Sequence, residues 1–254
     1  LDALRQVISQ MLPSMASLSG APFGYLGSAV GLVLGGAAQN FLQNSTDVEE
    51  LDPATLTGDR LEAWERSQEV TRISSLADLV SVNGTTDTMG GADQTVVDIK
   101  KVVGPDGVER WVVSLPSTQD WQLGPDEGAL NDRDSNVALM MDNPALRTAY
   151  ERAVLEAMRD AGIPPGSDVV LTGFSQGGIM AANLASDRTF PYNTVGVVTN
   201  GSPIDSFDIP EHIPVYAFQH LTDVVPNLDG NTFDETPPNV NRVLMPGPLN
   251  PIDA

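Results

Sequence analysis

The sequence predicts an α/β fold, with a mostly parallel central sheet flanked by helices, an antiparallel hairpin at its start and an added helical segment at the N-terminus. Three observations predict it. Short β-branched apolar runs at 168–174, 194–199, 214–219 and 241–245 alternate with helical or loop segments, and that alternation means parallel strands. Two further runs, 95–103 and 109–115, are joined by Gly104-Pro105-Asp106-Gly107, where proline and Asp-Gly stand as a tight hairpin turn uses them. At Asp168–Phe174 the apolar run stops at Ser175, and small and apolar residues then recur at helical spacing through 176–186, Ile179, Met180, Ala182 and Leu184 among them.

The elements follow in order. From Gln6 to Thr46 no residue carries a charge, and 22–42 is rich in glycine, alanine and leucine. The preferred reading is a pair of helices over about 1–12 and 22–43, because 23–38 is short and glycine-loaded for a span that needs about 20 strongly apolar residues. A membrane-contacting element at 22–42 is less favoured. A signal peptide would begin with a basic region, and here Arg5 alone precedes a long uncharged stretch. The chain begins at Leu1, so its start is expected to be processed or truncated. Charges return over 46–79, with a capped helix start at 58–64 on an amphipathic segment, and 83–91 reads as a glycine-rich break. Residues 1–90 are thus expected to form a helical N-terminal segment and 91–254 the α/β core. Within the core, 123–136 is acidic and irregular, a solvated loop or a rim to the pocket. Asn143-Pro144 starts a helix to Ala161 with Leu146, Tyr150, Ala153, Val154, Ala157 and Met158 on one face.

The strand, turn and helix around Ser175 carry the chemistry. Gly173-Phe174-Ser175-Gln176-Gly177 is a G-x-S-x-G, whose serine sits on a strained strand-to-helix turn with its hydroxyl lifted above the sheet. The residues two before and two after must lack bulk, and both are glycine. The following helix aims its N-terminus at the serine, so the backbone N–H of Gln176 faces a developing oxyanion. With this context the chain resembles the α/β-hydrolase superfamily, and is most similar to bacterial cutinase-like and lipase-like serine esterases whose elbow reads G-[FHY]-S-Q-G. The resemblance extends to Leu115-Pro-Ser-Thr-Gln-Asp-Trp121, where related sequences read P-G-T-x-D-W and this chain has Ser117 at the usual glycine. It implies a second oxyanion donor at the backbone N–H of Ser117 or Thr118, and a bacterial protein that is secreted or at the cell surface.

In the chain order of that fold the acid follows the second strand after the nucleophile. Asp223 lies there, in His220-Leu-Thr-Asp-Val-Val-Pro226, similar to the D-x-V-P of related esterases. The alternative is that Asp223 merely caps a turn; Asp229 is held in reserve and Asp205 follows the wrong strand. The histidine should come after 241–245, yet the two histidines, His212 and His220, both precede Asp223. The preferred explanation is that the piece carrying it lies beyond Ala254. The others are that His220 serves from its strand end, or that the protein is not a hydrolase. His212 is expected at the surface, at the end of its strand away from the serine.

Composition narrows the partners. With 34 acidic against 13 basic residues the formal charge is −21, which repels nucleic acid and anionic membranes. The absence of cysteine excludes a thiol nucleophile, disulfides and cysteine-held metal. Asp229-Gly-Asn-Thr-Phe-Asp-Glu235 offers oxygen ligands without the spacing of a calcium loop, and no phosphate loop, dinucleotide fingerprint or histidine cluster occurs, so no cofactor and no metal is expected. The expectation is a serine carboxylic-ester hydrolase acting on a small-molecule, lipid or polymer ester. The alternatives are a fold-retaining binding or structural protein without catalysis, and an acyltransferase using the same serine.

Overall fold

The computed structural model describes residues 48–90, 95–104, 106–117, 149–220 and 236–245. Two units divide the chain after Asn44, and every described residue belongs to the second, Ser45–Ala254. The expected helices over 1–12 and 22–43, with the membrane-contacting alternative, lie outside the described residues. Among those described, no helix is long and apolar enough to cross a membrane.

Six strands form one sheet in sequential order: β1 (Asp98–Val103), β2 (Glu109–Leu115), β3 (Asp168–Phe174), β4 (Asn193–Asn200), β5 (Val215–His220) and β6 (Val240–Met245). β1 and β2 are antiparallel, and every later neighbour is parallel. The hairpin closes as its residues dictate: Gly107 takes φ 75° and donates to the Gly104 carbonyl at 2.9 Å. Asp106 accepts from Arg110 at 2.8 Å, and that hydrogen bond draws its carboxyl down to about 2.

The two faces of the sheet are covered differently. Val113 and Leu115 of β2, Val169 and Leu171 of β3, Val197 of β4 and Val215 of β5 join the main core. Packed with them are Val154 and Met158 from α3 (Ala149–Asp160) and Ile179, Met180 and Leu184 from α4 (Gln176–Ser186). Every one of these side chains is at most 3% exposed, as strands buried on both faces require. Of the face expected on α3, Val154 and Met158 are core and Ala153 and Ala157 half-buried, while Leu146 and the side chain of Tyr150 lie outside the described residues. The same helix buries Glu151, whose carboxylate accepts from Asn183 of α4 at 3.1 Å.

The alternate residues of β2 and β3, Ser114 and Thr172 among them, face α2 (Leu76–Met89). Here the structure departs from the sequence reading, which made 83–91 a break. The helix runs through to Met89, and α1 (Asp59–Glu69) and α2 belong to the same unit as the sheet. Two forces override the weak propensity of Gly84, Thr85 and Thr86. A capping box starts the helix: Asp78 N–H donates to Ser75 Oγ at 3.1 Å, and Ser75 N–H donates to Asp78 Oδ2 at 2.9 Å. Burial then holds it, with Val82 and Met89 at most 3% exposed and Gly84 on the open side. The backbone N–H of Ser74, first, and the hydroxyls and N–H of Ser74 and Ser75 hold the Asp78 carboxyl below the usual carboxylate range. A depressed carboxyl contributes stability above its ordinary value and loses it as the pH falls through the lowered one. Ser75→Ala is expected to cost about 1 kcal/mol at neutral pH by urea unfolding, and less in acid, where Asp78 no longer accepts.

α1 is fastened to the edge strand β1 through Lys100, whose ammonium donates to the Ser67 carbonyl at 3.0 Å and its hydroxyl at 2.7 Å beside Asp98 at 3.1 Å. At the opposite edge, Asp205, in the loop after β4, pairs with Arg242 of β6 at 2.7 Å, the two side chains 11% and 10% exposed. An ion pair so placed is costly to break from one side, because the survivor keeps its desolvation penalty. Asp205→Ala is accordingly expected to destabilise the protein by about 3 kcal/mol, measured as a shift in the denaturation midpoint.

Candidate active site

A parallel sheet gathers the C-terminal ends of its strands at one edge, and the chain reverses there into loops and helices. Ser175 sits at that edge between β3 and α4. Its φ is 51° and its ψ −114°, the only left-handed non-glycine residue among those described. Such a conformation in a residue with a side chain costs of order 1–3 kcal/mol and persists only where its surroundings enforce it. They do so by close backbone approach. A Cβ on Gly173 would collide with the backbone of Gly177 and Gly178, and a Cβ on Gly177 would meet the Pro116 carbonyl oxygen at 2.5 Å and the Leu115 carbonyl carbon at 2.7 Å. Both glycines are therefore steric requirements of the turn. From the other side, the Asn200 carbonyl at the end of β4 accepts the Ser175 N–H at 2.9 Å and the Ser202 hydroxyl at 3.0 Å.

Ser175 is half-buried and the preceding Phe174 is 42% exposed, so the turn reaches solvent at its apex. Gln176 opens α4, where its N–H precedes any acceptor the helix itself supplies. Its side chain is fully buried. Gly178, which the motif does not demand, has its own reason: a Cβ there would collide with the Ser202 side chain. No signal within G-x-S-x-G announces it, since the cause is a loop some 24 residues away in sequence.

The turn after β2 stands against this apex, and the structure places the Ser117 N–H in a specific bond. It donates to Asp87 Oδ1 of α2 at 2.6 Å. The second donor position named from sequence, Thr118, lies outside the described residues, as do Asp223, the reserve Asp229, the 123–136 loop and the 229–235 oxygen cluster. Asp87 itself is a residue that sequence reasoning missed, since it was assigned to a glycine-rich break.

The two histidines separate. His212 is exposed and precedes β5, at the end of the sheet away from Ser175. His220 is the last residue of β5, paired in register with Met245, on the edge that carries Ser175. With neighbouring strands about 4.8 Å apart, β5 runs roughly 10 Å from β3. Asp205, set aside from the start as following the wrong strand, is engaged by Arg242.

No family model, no curated protein and no solved structure matches this chain.

Proposed function

We propose that the protein is a serine carboxylic-ester hydrolase of α/β-hydrolase type, acting through an acyl-enzyme on Ser175. The observation that carries this reading is the enforced left-handed conformation of Ser175 at the C-terminal end of a central parallel strand, between two glycines whose Cβ positions are blocked by backbone. Strain of this kind at a serine that opens a helix is the arrangement that presents a hydroxyl for attack on a carbonyl carbon. In the reaction Ser175 Oγ attacks the ester carbonyl while an imidazole takes its proton. Asp223 orients that imidazole, and the backbone N–H of Gln176, with one from the turn after β2, stabilises the oxyanion. The alkoxide leaves with the proton, and water reverses the sequence to free the acid.

The test is pre-steady-state hydrolysis of a short p-nitrophenyl ester. An acyl-enzyme gives a burst of p-nitrophenolate close to one equivalent per active serine before the slower steady state. A linear progress curve with no burst and no retained acyl group argues against the covalent route. Adding an alcohol and analysing the products separates hydrolysis from acyl transfer. A second reading, a binding protein that keeps the fold without the chemistry, is favoured by the position of His212 at the far end of the sheet, which leaves His220 as the one histidine of the 254 residues on the serine's edge.

A further inference from the structure

We infer that Ser202 is a positioning residue for the proposed esterase, setting the gap between the end of β4 and the first turn of α4 and so the place of the Ser175 hydroxyl; the inference rests on the esterase reading. The two peptide groups of Ser175 are held by different elements. Its N–H continues the β3–β4 ladder past Phe174, which pairs with Asn200, and donates to the Asn200 carbonyl at 2.9 Å. Its carbonyl accepts from Gly178 at 3.1 Å and from Ile179 at 3.2 Å, in the first turn of α4. The left-handed φ of Ser175 therefore depends on how far α4 starts from the end of β4.

Ser202 occupies that gap. Its hydroxyl donates at 3.0 Å to the same Asn200 carbonyl that receives the Ser175 N–H. Its Cβ would stand 2.6 Å from a Cβ on Gly178, so helix and side chain fit together only because residue 178 is glycine. Ser202 is 1% exposed and meets these neighbours rather than water. Nor can it draw back freely: the preceding Gly201 turns the chain with φ 54° and donates to the Phe218 carbonyl of β5 at 2.8 Å. The side chain is thus a fixed spacer, tied to β4 by its hydroxyl and to β5 through the adjoining backbone. The helix start it bears on also carries the Gln176 N–H, the donor proposed for the oxyanion. A misplacement of about 1 Å in such groups costs on the order of 100-fold in rate.

The experiment compares Ser202→Ala, Gly178→Ala, the double variant Gly178→Ala/Ser202→Gly and Ser175→Ala in the whole protein. It reads kcat and KM on a p-nitrophenyl ester, and the hydrogen exchange of the Ser175 amide relative to amides within β3, a ratio that general loss of stability does not raise. Gly178→Ala pushes the helix off Ser202 and is expected to lower kcat about 100-fold with KM little changed, and to raise the exchange ratio at least about 10-fold. In the double variant the added methyl keeps only a 3.2 Å contact with the Gly173 carbonyl oxygen. It is expected to restore kcat to within about 5-fold of the parent and to bring the exchange ratio back with it. Ser202→Ala, which removes the hydroxyl and keeps the spacer, is expected to lower kcat roughly 3- to 10-fold, the worth of one neutral hydrogen bond. Parent kcat in Gly178→Ala, a loss of kcat there with no rise in the exchange ratio, or a double variant as slow as Gly178→Ala overturns the role of Ser202. Should Gly178→Ala fail to fold, Ser202→Ala decides alone, and parent kcat with parent exchange at Ser175 overturns it. Hydrolysis by Ser175→Ala at the parent rate sinks the esterase reading, and the inference with it.

Discussion

Ser175→Ala is expected to abolish ester hydrolysis, by a factor on the order of 10⁶ in kcat, and to leave the fold intact. The size follows from the proposed role: without the hydroxyl no acyl-enzyme can form, and only binding and oxyanion contributions remain. The fold is spared because alanine needs no more room than serine in the half-buried apex, and the Ser175 N–H keeps its bond to the Asn200 carbonyl. Steady-state kinetics and thermal unfolding of the same preparation check both halves. Parent-level hydrolysis in this variant would remove Ser175 from the mechanism.

Gly177→Val is expected to fail on both counts. Its Cβ would lie 2.5 Å from the Pro116 oxygen and 2.7 Å from the Leu115 carbonyl carbon, and these are backbone atoms that cannot rotate away. Either the turn opens and Ser175 moves, or the strand end of β2 shifts and carries the Asp87–Ser117 bond with it. The cost is about 3 kcal/mol or more, which for a chain of this size lowers Tm by roughly 6–12 °C. Activity should fall with it, and a valine variant with the parent's Tm and kcat would mean that the close approach at Gly177 is not real.

Much of this architecture is legible in the residues. The hairpin follows from Pro105, Asp106 and Gly107, and the parallel strands from β-branched runs spaced by helical segments. The turn at Ser175 follows from glycines at the two positions where a side chain has nowhere to go. What escaped reading shares one physical cause. α2 holds the sheet with Asn83, Thr86 and Asp87, polar side chains that bond Ser114, Leu115 and Ser117, and a search for apolar periodicity passes over such a face. Gly84 and two threonines then look like a break, although the capping box at Ser75 and Asp78 was there to be read. The ion pair of Asp205 with Arg242 and the demand of Ser202 on Gly178 are likewise long-range, and local sequence carries no trace of them. Asp223, with the loops around it, lies outside the described residues.

The most direct test of the central claim is covalent capture by a fluorophosphonate, followed by peptide mass spectrometry. The reagent loses fluoride to an activated serine and leaves a phosphonyl adduct on its oxygen. The account predicts one adduct per chain, on Ser175, abolished by Ser175→Ala and by prior heat unfolding. A folded protein that takes up no phosphonate, or carries it on another serine, would contradict it.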